Sequence, residues 1–257
     1  MEGVLIKTHQ LTKRYGSFTV VNSLNLEVKS GEIFGFLGPN GSGKTTTIKM
    51  LTGLLEPSDG EAFICGFDIR KQPTQAKALI AYVPDQPKLY DKLSAREFLE
   101  LVAALYRVPK ETAKERSTQL LVMFGLSERA DELLESFSHG MRQKVVLAAA
   151  LIHQPKVILL DEPTVGLDPA SARLLKDVLQ ELARQGAAIF ISTHILEIAE
   201  RMCHRVAILK DGKLIAQGSP EELRQKVGHA GESLEDIFLE LTAGKEKTEL
   251  INSLKEE

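Results

Sequence analysis

The sequence predicts an α/β protein: a parallel-sheet core, an antiparallel β subdomain and an inserted helical subdomain. Three observations carry this expectation. Residues 32–37 form a short apolar run, then comes Gly38-Pro39-Asn40-Gly41-Ser42-Gly43-Lys44-Thr45, then residues 46–52 in a helical pattern. That is strand, glycine-rich loop and helix in succession. Residues 157–160 and 187–191 are apolar runs without polar alternation, as expected of central parallel strands covered on both faces. Between about 87 and 153 the chain turns helical, which interrupts the strand-rich pattern on either side.

Taken in order, Val4-Leu5-Ile6 and residues 24–28 are β-type runs, the second alternating in and out. Pro57-Ser58-Asp59-Gly60 is a turn cluster ahead of a strand over 61–65, and Ile80-Ala81-Tyr82-Val83 is a strand stopped by Pro84. In the helical block, Ser94 and Glu97 make a capping box, followed by Phe98, Leu101, Val102 and Leu105 at helical spacing. A second helix spans about 111–124 and stops at Gly125; a third begins near Met141 and runs to Ile152. Asp168-Pro169 reads as N-cap and first helical residue of a helix ending at Gly186. Residues 205–210, Asp211-Gly212 and 213–216 form a hairpin with a type I′ turn. Ser219-Pro220-Glu221-Glu222 opens another helix, and the charged end from Lys245 reads as a solvated, frayed helix.

Bulk properties narrow the function classes. A chain of 257 residues with 43% hydrophobic and 26% charged residues is ordinary for a globular protein. A net charge of −3 gives no reason to expect a nucleic-acid partner. Cys65 and Cys203 lie far apart without metal-type spacing, as in a reduced cytosolic protein. No run approaches the ~18 apolar residues of a membrane span, and the N-terminus lacks a signal-peptide core. If the protein acts at a membrane, another chain spans it.

The glycine-rich loop fits the phosphate-loop pattern of Gly, four residues, Gly-Lys-Thr. Glycines 38, 41 and 43 let backbone N–H groups turn toward an anion without a Cβ in the way. The helix N-terminus adds partial positive charge. Lys44 reaches terminal phosphates, and the Thr45 hydroxyl suits Mg2+. Ligands of open parallel sheets bind at the carboxyl ends of strands. Asp161 stands at such an end and suits the same Mg2+; Glu162 beside it suits orienting or deprotonating an attacking water. His194 ends a neighbouring strand within reach of a γ-phosphate, although a lone histidine there also reads as an ordinary surface residue. Tyr15, judged from its own segment, reads as a tyrosine on a sheet surface; a flat face for a base is the other reading.

Together these stretches resemble the ATP-binding cassette (ABC) ATPases, the nucleotide-binding subunits of ABC transporters, over about residues 3–225. Gly38–Thr45 matches Walker A, with Thr46 beside it, and residues 157–162 match Walker B with its catalytic glutamate. Gly166-Leu167-Asp168 matches the D-loop, His194 the switch histidine, and Tyr15 the adenine-stacking aromatic. Ser136-Phe137-Ser138-His139-Gly140-Met141-Arg142-Gln143 sits where the family has its Leu-Ser-Gly-Gly-Gln signature. Phe137, His139 and Met141 depart from that pattern, whereas Ser138 and Gly140, the phosphate-contacting positions, are kept. Asp85 stands where most members have the Q-loop glutamine, and Gln86 is one position late. Residues 233–241 are similar to the C-terminal segment of the exporter-like branch.

The resemblance implies a RecA-like P-loop NTPase core within an ABC ATPase domain at 1–225 and a C-terminal helical extension at 226–257. It implies an ATP-hydrolysing subunit that uses Lys44, Glu162 and His194 in catalysis, and Thr45, Asp161 and Asp85 toward Mg2+. It implies two cassettes closing head to tail, each ATP lying between Walker A of one and Ser138 and Gly140 of the other. The partners it implies are a second copy or a homologous cassette and a membrane-spanning permease. The chain would then sit in the cytoplasm, peripheral on the inner face of the membrane. The competing expectation is a soluble ABC ATPase acting on ribosomes or DNA, but those carry two cassettes or a long coiled coil, and this chain has neither.

Overall fold

A computed structural model describes residues 3–86, 88–227 and 233–242. The chain runs through β1 (Val4–Tyr15), β2 (Phe18–Lys29), β3 (Ile33–Leu37), α1 (Lys44–Leu51), β4 (Asp59–Ile64), β5 (Phe67–Asp68), α2 (Pro73–Lys77) and β6 (Ile80–Val83). The helical block follows as α3 (Ala95–Leu105), α4 (Lys110–Met123) and α5 (His139–Leu151). Then come β7 (Val157–Asp161), α6 (Pro169–Arg184), β8 (Ala188–Thr193), α7 (Leu196–Met202), β9 (Arg205–Lys210), β10 (Lys213–Gly218), α8 (Pro220–Val227) and α9 (Leu234–Thr242).

Two sheets form. The first is antiparallel, in the order β2-β1-β4-β5. The second, in the order β10-β9-β3-β8-β7-β6, is parallel from β9 to β6, with β10 antiparallel at its edge. Side chains of a strand alternate between faces, and here the alternation divides the core in two. Ile33, Leu37, Ile158, Leu160, Ile189 and Ile191 pack toward the helical block, α6 and α7. Phe34, Phe36, Val157, Leu159 and Phe190 pack toward α1 and the antiparallel sheet. Both faces of these strands are covered, which is why they read as unbroken apolar runs.

Register sets the height of the strand ends. β3 pairs with β8 so that Leu37 faces Thr193, and β7 pairs with β8 so that Asp161 faces Ser192. The glycine-rich loop, the 161–162 carboxylates and His194 therefore leave the sheet along one edge.

Several expected boundaries shift. β1 and β2 are 12 residues each, far longer than the runs read from sequence. Register shifts near Thr8–Leu11, with Gln10 at φ 47°, break the alternation that would have revealed them. β4 starts inside the expected turn cluster, at Asp59. The third helix starts at His139, two residues before Met141, because Ser138 is its N-cap and accepts from the Met141 N–H. The short elements β5, α2 and α7 leave no periodicity to read. The expected capping box at Ser94 and Glu97 is formed, and Asp211 and Gly212 take the left-handed angles of a type I′ turn. The helix expected from Lys245 lies outside the described residues.

One contact ties the helical block to the start of β6. The Tyr106 and His153 rings stack at 3.6 Å. Tyr106 OH donates to the Ile80 carbonyl at 3.3 Å, and His153 Nε2 lies 3.1 Å from the same oxygen. His153 Nδ1 is buried with no partner among the described residues. Burial lowers His153 from 6.5 to about 4, so the folded chain holds it neutral while the unfolded chain protonates it first. Between those values the unfolded state binds more protons, and stability falls as the pH drops. We expect up to ~3 kcal/mol to be lost from pH 7 to 4 through this group. Thermal melts of His153→Phe, which keeps the ring stack, should show a flatter decline over that range than the unsubstituted chain.

Candidate functional site

The loop between β3 and α1 is built on close backbone approach. Gly43 sits at φ 105°, and a Cβ there would lie 2.6 Å from the Val20 carbonyl oxygen. A Cβ on Gly38 would meet Ser42 Oγ at 2.4 Å and the Leu209 carbonyl oxygen at 2.6 Å. Only glycine fits either position. Gly43 is also the N-cap of α1 and supplies no capping side chain. The first-turn N–H groups of α1 thus have no protein cap, the arrangement that suits an anion. Lys44 Nζ lies against the Gly38 and Pro39 carbonyls at 2.7 and 3.1 Å. Burial lowers its pKa, against the raising influence of Glu162 and Asp161.

Opposite the loop stand the strand-end carboxylates. Thr45 Oγ1 donates to Asp161 Oδ2 at 2.8 Å, joining two of the three expected Mg2+ ligands directly. Burial raises the Asp161 pKa from its ordinary value, the hydrogen bond from Thr45 opposes it, and the charges of Glu162 and Asp85 add to it. Glu162 adopts φ 48°, a left-handed conformation that costs a non-glycine residue ~1–3 kcal/mol. Its N–H donates to the Ser192 carbonyl at 2.9 Å, which holds that backbone in place. The carboxylate then meets His194 Nδ1 at 2.8 Å through Oε1. Its Oε2 accepts from Thr193 Oγ1 at 3.0 Å. Thr193 is a residue sequence reasoning passed over. Its only signal was its place beside His194 at a strand end.

These groups enclose a cleft of about 250 Å³, lined by Val20, Asn40, Gly41, Gly43, Lys44, Thr45, Thr46, Asp85, Asp161 and Glu162. Most of the expected loop residues, both carboxylates and Asp85 thus meet at one place. Gly38, Pro39 and Ser42 support the loop from behind: the Ser42 N–H donates to the Pro39 carbonyl at 3.2 Å, and its hydroxyl is buried without a partner. Tyr15 is outside the cleft wall, 53% exposed at the end of β1, with Lys13 Nζ 5.2 Å from its ring centroid. Ser138 and Gly140 are also outside it, at the exposed N-terminus of α5 beside Gly166. A left-handed turn at 139 is a natural expectation from the signature glycine that His139 replaces. It is not what forms: His139 is the first helical residue of α5 and its φ is not positive. A larger groove of about 690 Å³, between α4 and α6, contains none of the candidate residues.

The residues present fit a nucleotide carrying a divalent cation. A hydroxyl and a carboxylate already in contact are the hard oxygen donors Mg2+ takes. Among the described residues no three His, Cys, Asp or Glu side chains converge as a metal cage, so water and phosphate oxygens must complete such a shell. The charge balance agrees. Asp85, Asp161 and Glu162 oppose Lys44 alone, and burial next to Asp161 and Asp85 pushes Tyr82 up to about 12. A bare polyphosphate meets a negative wall there, and a cation between them removes the conflict.

A phosphate loop, strand-end carboxylates on a parallel sheet, an antiparallel sheet beside it and helices inserted between β6 and β7 define an ATP-binding cassette ATPase. The chain belongs to the ABC transporter family, whose model matches residues 21–165. It is 42% identical over 212 residues to the uncharacterized ABC transporter ATP-binding protein YhcH of Bacillus subtilis (strain 168), covering 82% of this chain and 68% of that one. Its fold matches a solved ATP-binding subunit of an ABC transporter with a TM-score of 0.89 at 35% identity, covering 92% of this chain and 99% of the other. It also matches, with a TM-score of 0.77 at 28% identity over 84% of this chain and 98% of the other, the cassette MJ0796 in a dimeric post-hydrolysis state bound to ADP and Pi. The chain is thus an ATP-binding, ATP-hydrolysing transporter subunit, and the ribosome or DNA alternative is set aside. No helix among the described residues is long and apolar enough to cross a membrane.

Proposed function

We propose that this chain binds Mg2+-ATP in the cleft between the 38–45 loop and the strand-end carboxylates, closes head to tail on a second cassette, and hydrolyses the γ-phosphate to drive a permease. The observation that carries this reading is the coincidence, at one cleft, of the uncapped α1 N-terminus, the Thr45–Asp161 contact and Glu162, whose carboxylate is held from outside the cleft lining by His194. Lys44 and the first-turn N–H groups hold the terminal phosphates. Bound Mg2+ supplies charge neutralisation at those phosphates, held by Thr45 and Asp161. Glu162 orients the attacking water and takes its proton, and His194 and Thr193 fix that carboxylate. Ser138 and Gly140, at the exposed end of α5, meet the nucleotide of the partner cassette in this reading, which the dimeric relative supports. Tyr15 stacks on the adenine.

Direct association with a permease on the inner face of the membrane has its own test. The tagged chain, purified from detergent-solubilised membranes, should bring down a polytopic membrane protein in stoichiometric amount. Recovery with ribosomes alone contradicts the reading.

Asp85 follows β6 by two residues and faces the same cleft as Asp161. As a carboxylate rather than an amide, it adds charge near the metal. Asp85→Asn should therefore raise the Mg2+ concentration needed for half-maximal turnover by about fivefold, equivalent to ~1 kcal/mol of lost attraction at partly screened distance. An unchanged Mg2+ titration removes Asp85 from the metal's surroundings.

A further inference from the structure

We propose that the C-terminal helices α8 and α9 brace α7 and so set His194 against Glu162, with Leu234 and Ile237 as the positioning residues. The proposal rests on the reading that Glu162 and His194 act in hydrolysis, and it adds a part of the chain far from the cleft to that machinery.

α7 begins two residues after His194, has seven residues, and its N-cap, Ile195, supplies no side-chain cap. A helix of two turns has almost no stability of its own. Its position therefore comes from what packs on it. Ala199 and Met202 of α7 are buried in the core on the β3 side. α7 also packs against α9. Leu234 and Ile237, one helical turn apart on α9, are both 0% exposed and belong to the same apolar cluster as Ala199, Met202 and Cys203. Phe238 and Leu241 pack along that cluster. α9 is well defined at its start: Ser233 and Asp236 exchange hydrogen bonds, with the Ser233 N–H donating to Asp236 Oδ2 at 3.0 Å and the Asp236 N–H to Ser233 Oγ at 3.2 Å. α8 adds an ion pair from Arg224 to Glu200 of α7, and its Leu223 is buried in the same cluster.

The link from this brace to the site is short. Only Ile195 separates α7 from His194, and the Ile195 N–H donates to Thr193 Oγ1 at 3.1 Å. That hydroxyl in turn donates to Glu162 at 3.0 Å. The backbone turn at 193–195 thus holds both the Thr193 and the His194 contacts to the carboxylate. A shift of α7 moves both at once, whereas the phosphate loop is anchored separately, through close backbone approach to Val20 and Leu209. Loosening the brace should impair the chemical step and leave nucleotide binding as it was. Misplacement on the order of 1 Å can cost ~10²-fold in rate.

The test uses the full chain in steady-state ATP hydrolysis with Mg2+. Ile237→Ala should lower kcat about tenfold or more and leave KM for ATP within about twofold, a split that marks loss of an interaction made in the transition state. Ile237→Val, which keeps most of the buried volume, should restore most of kcat. Ile6→Ala removes the same atoms from a fully buried position of the antiparallel sheet and should leave kcat within about twofold below its melting temperature. Glu200→Gln, which weakens the ion pair without opening the core, should lower kcat in the same sense and serves if Ile237→Ala does not fold. The proposal is overturned if folded Ile237→Ala or Glu200→Gln turns over at the unsubstituted rate, or if Ile6→Ala loses as much kcat as Ile237→Ala. Glu162→Gln in the same assay separates the two levels: full turnover in that variant overturns the underlying reading, whereas its loss with Ile237→Ala unaffected overturns the brace alone.

Discussion

Glu162→Gln should lower ATP turnover by ~10²–10⁴-fold, the range for loss of a positioned general base. The amide keeps the size and shape of the side chain and cannot accept a proton at neutral pH. Three contacts argue that the substitution is local. The Glu162 N–H donates to the Ser192 carbonyl at 2.9 Å through the backbone. The Thr193 hydroxyl donates at 3.0 Å to an oxygen that glutamine can also present. The third contact, His194 Nδ1 at 2.8 Å, can be kept with one tautomer. ATP binding should therefore persist while hydrolysis stops. Turnover within twofold of the unsubstituted chain would show that the proton goes elsewhere.

Gly43→Ala should weaken nucleotide binding severely, for reasons visible before any ligand is considered. The φ of 105° lies where an L side chain is strained by ~1–3 kcal/mol. The added Cβ would also press to 2.6 Å from the Val20 carbonyl, a backbone atom of β2 that cannot step aside cheaply. The loop must open, and the N–H groups at the head of α1 then lose their common direction. We expect ATP affinity to fall at least ~10²-fold, since ~2.7 kcal/mol corresponds to two decades. Equilibrium binding of a fluorescent ATP analogue measures it, with circular dichroism to show that the sheet core survives. Affinity within threefold of the unsubstituted chain would mean that the loop tolerates a side chain at 43 and is not a backbone cradle.

What the sequence disclosed follows physical lines. The central strands β3, β7 and β8 were legible because burial on both faces demands unbroken apolar runs. Their ends were legible because Asp161, Glu162 and His194 interrupt those runs with groups that need water or a ligand. Helices α3 and α6 announced themselves through their caps at Ser94 and Asp168, both of which form. The antiparallel sheet was only half visible: exposed polar positions and register shifts along β1 blur a period of two. Three features of the site were hidden altogether. The left-handed backbone of Glu162, the Thr193 bond to its carboxylate and the burial of α9 against α7 all depend on contacts between residues far apart in the chain. At 139, where the family pattern has a glycine, no special turn forms. In this chain Ser138 caps the helix and the histidine begins it in ordinary conformation. Gly166 is the residue that gives way, since a Cβ there would lie 2.3 Å from the His139 ring.

In the proposed head-to-tail arrangement, ATP joins two copies of the cassette between the 38–45 loop of one and the α5 N-terminus of the other. Sedimentation of Glu162→Gln with and without Mg2+-ATP tests it most directly, together with Ser138→Arg made in the same background. A dimer is expected only with ATP, and a monomer that still binds ATP once Ser138 is replaced. A Glu162→Gln chain that stays monomeric at saturating ATP, or one that dimerises equally well with arginine at 138, would contradict it.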